Sequence, residues 1–175
     1  EVTPRLIRLI DGEMQPSGLG EKLDINENTL RRIRASMEDV CNHRRGTAYG
    51  SRILADGYKM AGKTGTSQVR RITPEERAAG VTRNEDLPWE RRDHALFVGY
   101  APFDNPRYAV SVIVEHGGGG SRAAAPIARD ILLQAQYGGP PPLDAYPSNL
   151  HEQIAEQQRR IEARIPEGAK ARSRA

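Results

Sequence analysis

Residues 63–66, Lys-Thr-Gly-Thr, combine side chains that bind anions. Lys63 supplies a cation, Thr64 and Thr66 supply two hydroxyls, and Gly65 leaves the backbone uncovered. Successive side chains of a strand point to opposite faces, so we predict Lys63 and Gly65 on one face and Thr64 and Thr66 on the other. An edge strand of this composition would bind a carboxylate through Lys63 and would let an extended ligand approach closely at Gly65.

The same residues satisfy a second motif. Residues 57–64 match G-x-x-x-x-G-K-[ST], the phosphate-binding P-loop of nucleotide-binding proteins. A P-loop follows a buried strand and opens directly into a helix, whereas residues 49–56 are polar and Gly65 and Pro74 come after the motif. A P-loop therefore ranks below the anion-binding strand, and an ordinary surface hairpin carrying a lysine is a further alternative.

Three strands are predicted to form one antiparallel sheet. The lysine motif lies in a strand at 58–69, and strands at 94–100 and 108–115 are joined by the turn-rich segment 101–107 as a hairpin beside it. A separate strand at 5–10 ends at the turn signal Asp11-Gly12. These elements predict an α+β fold with an antiparallel sheet flanked by helices.

Two helices are predicted to pack on this sheet. A capping-box-like start at 24–27 opens a core-facing helix, and residues 122–136 form the second helix. Four glycines at 117–120 precede the second helix, either as a flexible crossing, which we favour, or as an anion site at the helix N-terminus. The predicted apolar stripes are Leu30, Ile33, Met37 and Val40 in the first helix and Ala124, Ile127, Ile131 and Ala135 in the second.

A long polar segment, residues 70–93, separates the lysine strand from the hairpin. Thr73-Pro74 predicts a capped helix start, Gly80 its end, and Trp89 the one large apolar anchor. A loop of this length is typically functional or disordered.

The C-terminal part is predicted to lie outside the domain. Residues 1–137 form the domain, and the Gly/Pro-rich residues 138–142 are predicted to be a linker. The rest of 138–175 is predicted to be a charged tail, partly helical or disordered, with a thin apolar face. Residues 159–175 carry six basic and two acidic side chains, which we interpret as a solvated terminus.

Composition argues against a membrane-spanning segment within this sequence and against a disulfide-stabilised fold. The net charge is +3, no segment has about 18 consecutive apolar residues, and Cys41 is the single cysteine, so no intrachain disulfide can form. The four histidines share no metal-ligand spacing. We predict no metal, no cofactor and no nucleic-acid partner.

The motif and its flanks resemble a known family. Lys63-Thr64-Gly65-Thr66 looks like the third motif of the penicillin-binding proteins and serine β-lactamases. With residues 46–48, 58–62 and 94–102, the chain is similar to the transpeptidase domain of class B penicillin-binding proteins, nearest to the penicillin-binding protein 2 group. The likeness covers about residues 1–137, roughly the C-terminal part of such a β-lactamase/transpeptidase-like domain.

This resemblance implies a peptidoglycan D,D-transpeptidase that cross-links stem peptides by serine acyl transfer and is acylated by β-lactams. It implies catalytic roles for Lys63 and Thr66, with the Thr66 N–H as an oxyanion donor, and substrate binding by Thr64, Gly65 and Thr66. It further implies a location at the periplasmic face of the bacterial inner membrane, with an anchor upstream. A glycan polymerase of the elongation complex is the implied partner.

One part of the family pattern is missing. None of the eight serines is followed by lysine three residues on or by asparagine two residues on. We therefore expect the nucleophile and the second motif upstream of Glu1, and we expect the isolated chain to be inactive. A non-catalytic scaffold or partner-binding module is the alternative function, ahead of a P-loop protein.

Overall fold

The computed structural model describes residues 7, 9–15 and 21–164, and its contacts divide the chain between Ile33 and Arg34. In the first unit, β1 (Leu9–Ile10) and β2 (Glu13–Met14) form an antiparallel hairpin. The predicted turn at Asp11-Gly12 is confirmed, since both residues have positive φ. Within the predicted strand at 5–10 only Leu9–Ile10 is a strand, and residues 5, 6 and 8 lie outside the described part.

Helix α1 (Glu27–Asn42) begins where the capping signal predicts. Asn26 Oδ1 accepts a hydrogen bond of 2.8 Å from the backbone N–H of Asn28, which satisfies one free donor of the first turn. The predicted core-facing stripe is wrong in its first half, because Leu30 and Ile33 are 36% and 50% exposed. Toward the end of the helix, Val40 packs on the core and Cys41 is buried within it.

The second unit is built on a three-stranded sheet. Strands β3 (Ala61–Ser67), β4 (His94–Ala101) and β5 (Tyr108–Val114) lie in the order β3-β4-β5, and both pairings are antiparallel. This confirms the hairpin and its place beside the lysine strand. Among the described strands, β4 lies between the other two, and β3 and β5 lie at the edges.

Helix α3 (Gly120–Tyr137) packs on the sheet, but through a different stripe from the predicted one. Ile127 and Ile131 are 43% and 49% exposed. Small alanines let the helix approach the buried side of the sheet closely, so they occupy the contact and the branched side chains do not. The buried apolar residues of α3 are Ala124, Ala125, Ala128, Leu132 and Leu133.

The segment between β3 and β4 is held by polar contacts. Its short helix α2 (Pro74–Ala79) is capped by Thr73, whose Oγ1 accepts from the Glu76 N–H, and Gly80 ends the helix as predicted. Trp89, predicted to be the large apolar anchor of this segment, lies against the ring of His116, but its side chain is 56% exposed.

Several residues of 138–164 are buried, in a stretch for which the sequence predicts a linker and a partly helical tail. Ala145, Tyr146 and Pro147 are buried, and the Leu54 N–H donates to the Ala145 carbonyl at 2.9 Å. Helix α4 (His151–Arg164) comes next and buries Ile154. The Gly/Pro-rich sequence ends α3 at the left-handed Gly138 but does not detach the residues after it, because apolar side chains just beyond it are buried against the core. The basic end, 165–175, lies outside the described residues.

Candidate active-site edge

Strand β3 presents the lysine motif at an edge of the sheet. It pairs with β4 on one side, and no strand among the described residues pairs with its other side. In the register, Lys63 lies opposite Val98 and Gly65 opposite Leu96, whereas Thr64 lies opposite Phe97 and Thr66 opposite Ala95. Directly opposed residues share a face, so the predicted division of these four side chains between two faces is confirmed.

The lysine is exposed at this edge. The Lys63 Nζ donates to the Thr64 carbonyl oxygen at 2.7 Å, which uses one of its three N–H donors. Thr66 is exposed and Thr64 is partly exposed. One cation and two hydroxyls are therefore accessible within four consecutive residues of the strand. Unpaired backbone groups on the outer edge of a strand bond readily to an extended peptide. Chemically, this edge suits an extended ligand that carries a negative charge.

The start of α3 lies directly against the backbone of the motif. A Cβ added to Gly120 would come within 2.5 Å of the Gly65 carbonyl oxygen and within 2.3 Å of the Leu96 carbonyl oxygen. Gly118, with φ of +78°, donates its N–H to the Asp93 carbonyl at 2.8 Å. The sequence favours a flexible crossing at 117–120, whereas the structure requires glycine at 120 for close packing and at 118 for a left-handed backbone.

Sequence reasoning missed one partner of the motif. The Oγ1 of Thr47 lies 2.8 Å from the Oγ1 of Thr64, so the two hydroxyls share a hydrogen bond. Residues 46–48 contribute to the family likeness, but nothing in their spacing indicates contact with β3. The contact depends on how the end of α1 is held, and the Asn42 Nδ2 donates to the Met60 carbonyl at 3.0 Å, just before β3.

At the other end of the motif, two histidines come together. Ser67 lies opposite His94, and the His94 Nδ1 accepts from the backbone N–H of His116 at 2.9 Å. Trp89 completes the cluster, with its ring 4.4 Å from that of His116. No group of three or more histidine, cysteine, aspartate or glutamate side chains among residues 7, 9–15 and 21–164 is placed to hold a metal ion.

The P-loop alternative is wrong. Lys63 and Thr64 lie inside β3, which continues as a strand to Ser67, and the next helix begins only at Pro74. A P-loop requires a helix directly after its lysine and hydroxyl residue, because the helix N-terminus binds the phosphates. The exposed edge strand therefore fits an extended anionic ligand and not a nucleotide phosphate.

Comparison with family sequences agrees with this geometry. A model of the penicillin binding protein transpeptidase domain matches residues 1–133. The chain belongs to the penicillin-binding protein transpeptidase family. The family match covers β3 with its lysine motif, its partner strands and most of α3.

Individual members of the family are similar over most of the chain. The peptidoglycan D,D-transpeptidase MrdA of Haemophilus influenzae is 38% identical over 138 residues, which is 74% of this chain and 20% of that protein. MrdA of Acinetobacter baumannii is 43% identical over 106 residues, 58% of this chain and 14% of that protein. The chain thus spans about a fifth or less of the length of these relatives.

Solved structures show the same fold. PBP2 of Pseudomonas aeruginosa, in complex with WCK 5153, matches 77% of this chain and 26% of its own, with 33% identity and a TM-score of 0.55. The complex of PBP2 and MreC from Helicobacter pylori matches 73% of this chain and 20% of the other, with 29% identity and a TM-score of 0.51. The α+β fold of the transpeptidase type is therefore confirmed.

The described helices include none that is both long enough and apolar enough to cross a bilayer.

Proposed function

We propose that this chain forms the lysine-motif side of the cleft of a peptidoglycan D,D-transpeptidase. The carrying observation is the outer edge of β3, which pairs with no other described strand, with Lys63 on one face and Thr64 and Thr66 together on the other. The names of the relatives support the activity class. The nucleophilic serine and its lysine are expected upstream of residue 1, since no serine of this chain has the required spacing.

In the proposed reaction, that serine attacks the penultimate D-alanine carbonyl of a stem peptide and releases the terminal D-alanine. The acyl group then passes to an amine of a neighbouring strand. The Thr66 N–H is proposed as one of two donors to the oxyanion, because an unpaired edge amide can point at a ligand lying antiparallel to β3. Gly65 is proposed to leave room for the ligand backbone.

The side chains on the two faces of the motif are proposed to have different roles. The hydroxyls of Thr64 and Thr66 are proposed to bind the terminal carboxylate of the substrate, as two donors to one acceptor-only group. Lys63 is proposed to attract that carboxylate and to orient the hydrogen bonds of the cleft. A β-lactam would acylate the same serine, because it presents a carboxylate and a reactive carbonyl in place of those of the peptide.

The wider setting is proposed from the relatives. The Helicobacter complex supports assembly of such proteins with others, and a glycan polymerase of the elongation complex is the proposed partner here. The proposed location is the periplasmic face of the bacterial inner membrane, with the anchor upstream of this chain. No feature of the described residues specifically favours the scaffold alternative, which becomes the conclusion if acylation is absent.

The test is covalent labelling by a fluorescent penicillin. We expect labelling of the protein extended upstream in its own reading frame and none of the 175-residue chain. Lys63→Ala should slow labelling by about tenfold or more, because the cation that attracts the ligand carboxylate and orients the hydrogen bonds of the cleft is lost. Lys59→Ala is the matched control, since this half-exposed lysine precedes β3 and pairs with Asp56. A folded, extended protein that takes no label would refute the transpeptidase function.

A further inference from the structure

Thr47 contacts the first hydroxyl of the lysine motif from outside the sheet. Its Oγ1 is 2.8 Å from the Thr64 Oγ1, and both side chains are partly open to solvent. The contact joins residues 17 positions apart in sequence, so it depends on the fold and not on the motif itself. A ligand at Thr64 would meet a hydroxyl that already has a hydrogen-bond partner.

The backbone at Thr47 is held tightly from both sides. A Cβ added to Gly46 would lie 2.3 Å from the Asp39 carbonyl oxygen and 2.4 Å from that of Val40, so the chain turns directly against the end of α1. On the other side, the N–H of buried Ala48 donates to the Val40 carbonyl at 2.9 Å. These contacts fix the backbone position of Thr47, from which its hydroxyl reaches Thr64 on β3.

The direction of the shared hydrogen bond determines what Thr64 can do. A hydroxyl has one proton and two acceptor lone pairs, whereas a carboxylate only accepts. If Thr64 donated to Thr47, no Thr64 proton would remain for a carboxylate. If Thr47 donates, the Thr64 proton is free for the ligand, and the incoming bond polarises the Thr64 hydroxyl and strengthens the bond that it donates.

We propose that Thr47 is a positioning residue that donates to Thr64 and thereby directs the Thr64 proton at the carboxylate of the ligand. This inference rests on the proposed transpeptidase function. It adds to that function a residue that selects ligands carrying a carboxylate, without touching the ligand itself. The effect is specific to the acid form of a ligand, because an ester oxygen is a weaker acceptor than a carboxylate.

The experiment compares benzylpenicillin with its methyl ester on the protein extended upstream in its own reading frame. Second-order acylation rates are measured for the wild type, Thr47→Val, Thr47→Ser, Thr64→Val and the double variant. Valine keeps the shape of threonine but removes the hydroxyl, and serine keeps the hydroxyl. Thr29→Val is the matched control, because Thr29 is exposed on α1 and is far from β3 in sequence.

Thr47→Val should slow acylation by benzylpenicillin about three- to tenfold, the effect of one hydrogen bond, and should leave the ester rate unchanged. Thr47→Ser should restore the wild-type rate, and the double variant should be no slower than Thr64→Val alone, since the two hydroxyls act in series. Equal slowing with acid and ester, or no more slowing than with Thr29→Val, would overturn the positioning role. A wild type that neither penicillin acylates would refute the proposed function, and this inference with it.

Discussion

Individual glycines determine how closely β3 and β4 approach the ring of Phe97. A Cβ on Gly62 would lie 2.3 Å from the Phe97 Cζ and 2.6 Å from the Val98 carbonyl oxygen, and a Cβ on Gly99, two residues after Phe97 on β4, would lie 2.7 Å from the Phe97 Cε1. Phe97 is fully buried, so it cannot move aside without disturbing the core. The glycine before Lys63 is therefore required by packing.

Replacing Gly62 by alanine tests this requirement. We expect Gly62→Ala to lower the free energy of unfolding by about 1–3 kcal/mol, the usual cost of overpacking a filled core. Urea unfolding followed by circular dichroism measures the change. Gly50→Ala is the control, because no atom lies within 4 Å of a Cβ added there. Equal stability of the two variants would show that Phe97 can be accommodated elsewhere.

The polar segment between β3 and β4 is stabilised by ionic contacts rather than by apolar burial. Arg70 and Glu76 form a two-pronged ion pair with an Nη2–Oε1 distance of 2.6 Å, and both side chains are largely shielded. Asn84 and Asp93 exchange two hydrogen bonds farther along. Hydrogen bonding to Arg70 lowers the pKa of Glu76 to about 2 from its ordinary value of 4.5.

This lowered pKa predicts how the segment responds to acid. The folded state favours ionised Glu76, so its contribution is fully present above pH 4.5 and is lost as the pH falls toward 2. Trp89, the one tryptophan of the chain, reports on the segment by fluorescence. We expect an acid transition in this range that Glu76→Gln removes and that Glu90→Gln, a control in the same segment, retains. A transition unchanged in Glu76→Gln would assign it to other carboxylates.

The sequence predicts an element well when interactions between neighbouring residues determine it, and poorly when contacts with distant parts of the chain do. The cap of α2 is local, with Thr73, Pro74 and Glu76 within four residues, and it was predicted correctly. The buried face of α3 is not local, because stripes through Ile127 and through Ala128 both have helical spacing. Which stripe is buried depends on how closely α3 approaches the sheet, and the sequence does not show that distance. The Thr47–Thr64 contact escaped prediction for the same reason.

At the scale of the whole chain, residues beyond the sheet are part of its core. Tyr146 is buried. The guanidinium of Arg129 lies 5.0 Å from the centre of the Tyr146 ring, and Arg129 is itself only 4% exposed. Burial raises the pKa of Tyr146 to about 12. Composition predicted a linker here because glycine and proline dominate 138–142. Composition does not show that Ala145 and Tyr146 are buried against the core.

Removing the Tyr146 side chain tests whether this packing contributes to stability. We expect Tyr146→Ala to lower the free energy of unfolding by about 3–5 kcal/mol, as for other buried aromatic side chains. Thermal and urea unfolding both measure it. Ile161→Ala on α4 is the control, since that side chain is half-exposed and should change stability by no more than about 0.5 kcal/mol. A Tyr146→Ala protein as stable as the control would restore the linker interpretation.

The outer edge of β3, which pairs with no other strand in the described part of the chain, has a consequence in solution. An open strand edge is a template for any extended backbone, including the same strand of a second copy, and proteins that leave such edges uncovered tend to self-associate. Lys63 is the one charged side chain along Ala61–Ser67, so a single lysine on each edge is all the charge that opposes such pairing. Purified by itself, the chain should form edge-to-edge oligomers whose contact blocks the groups proposed for the ligand.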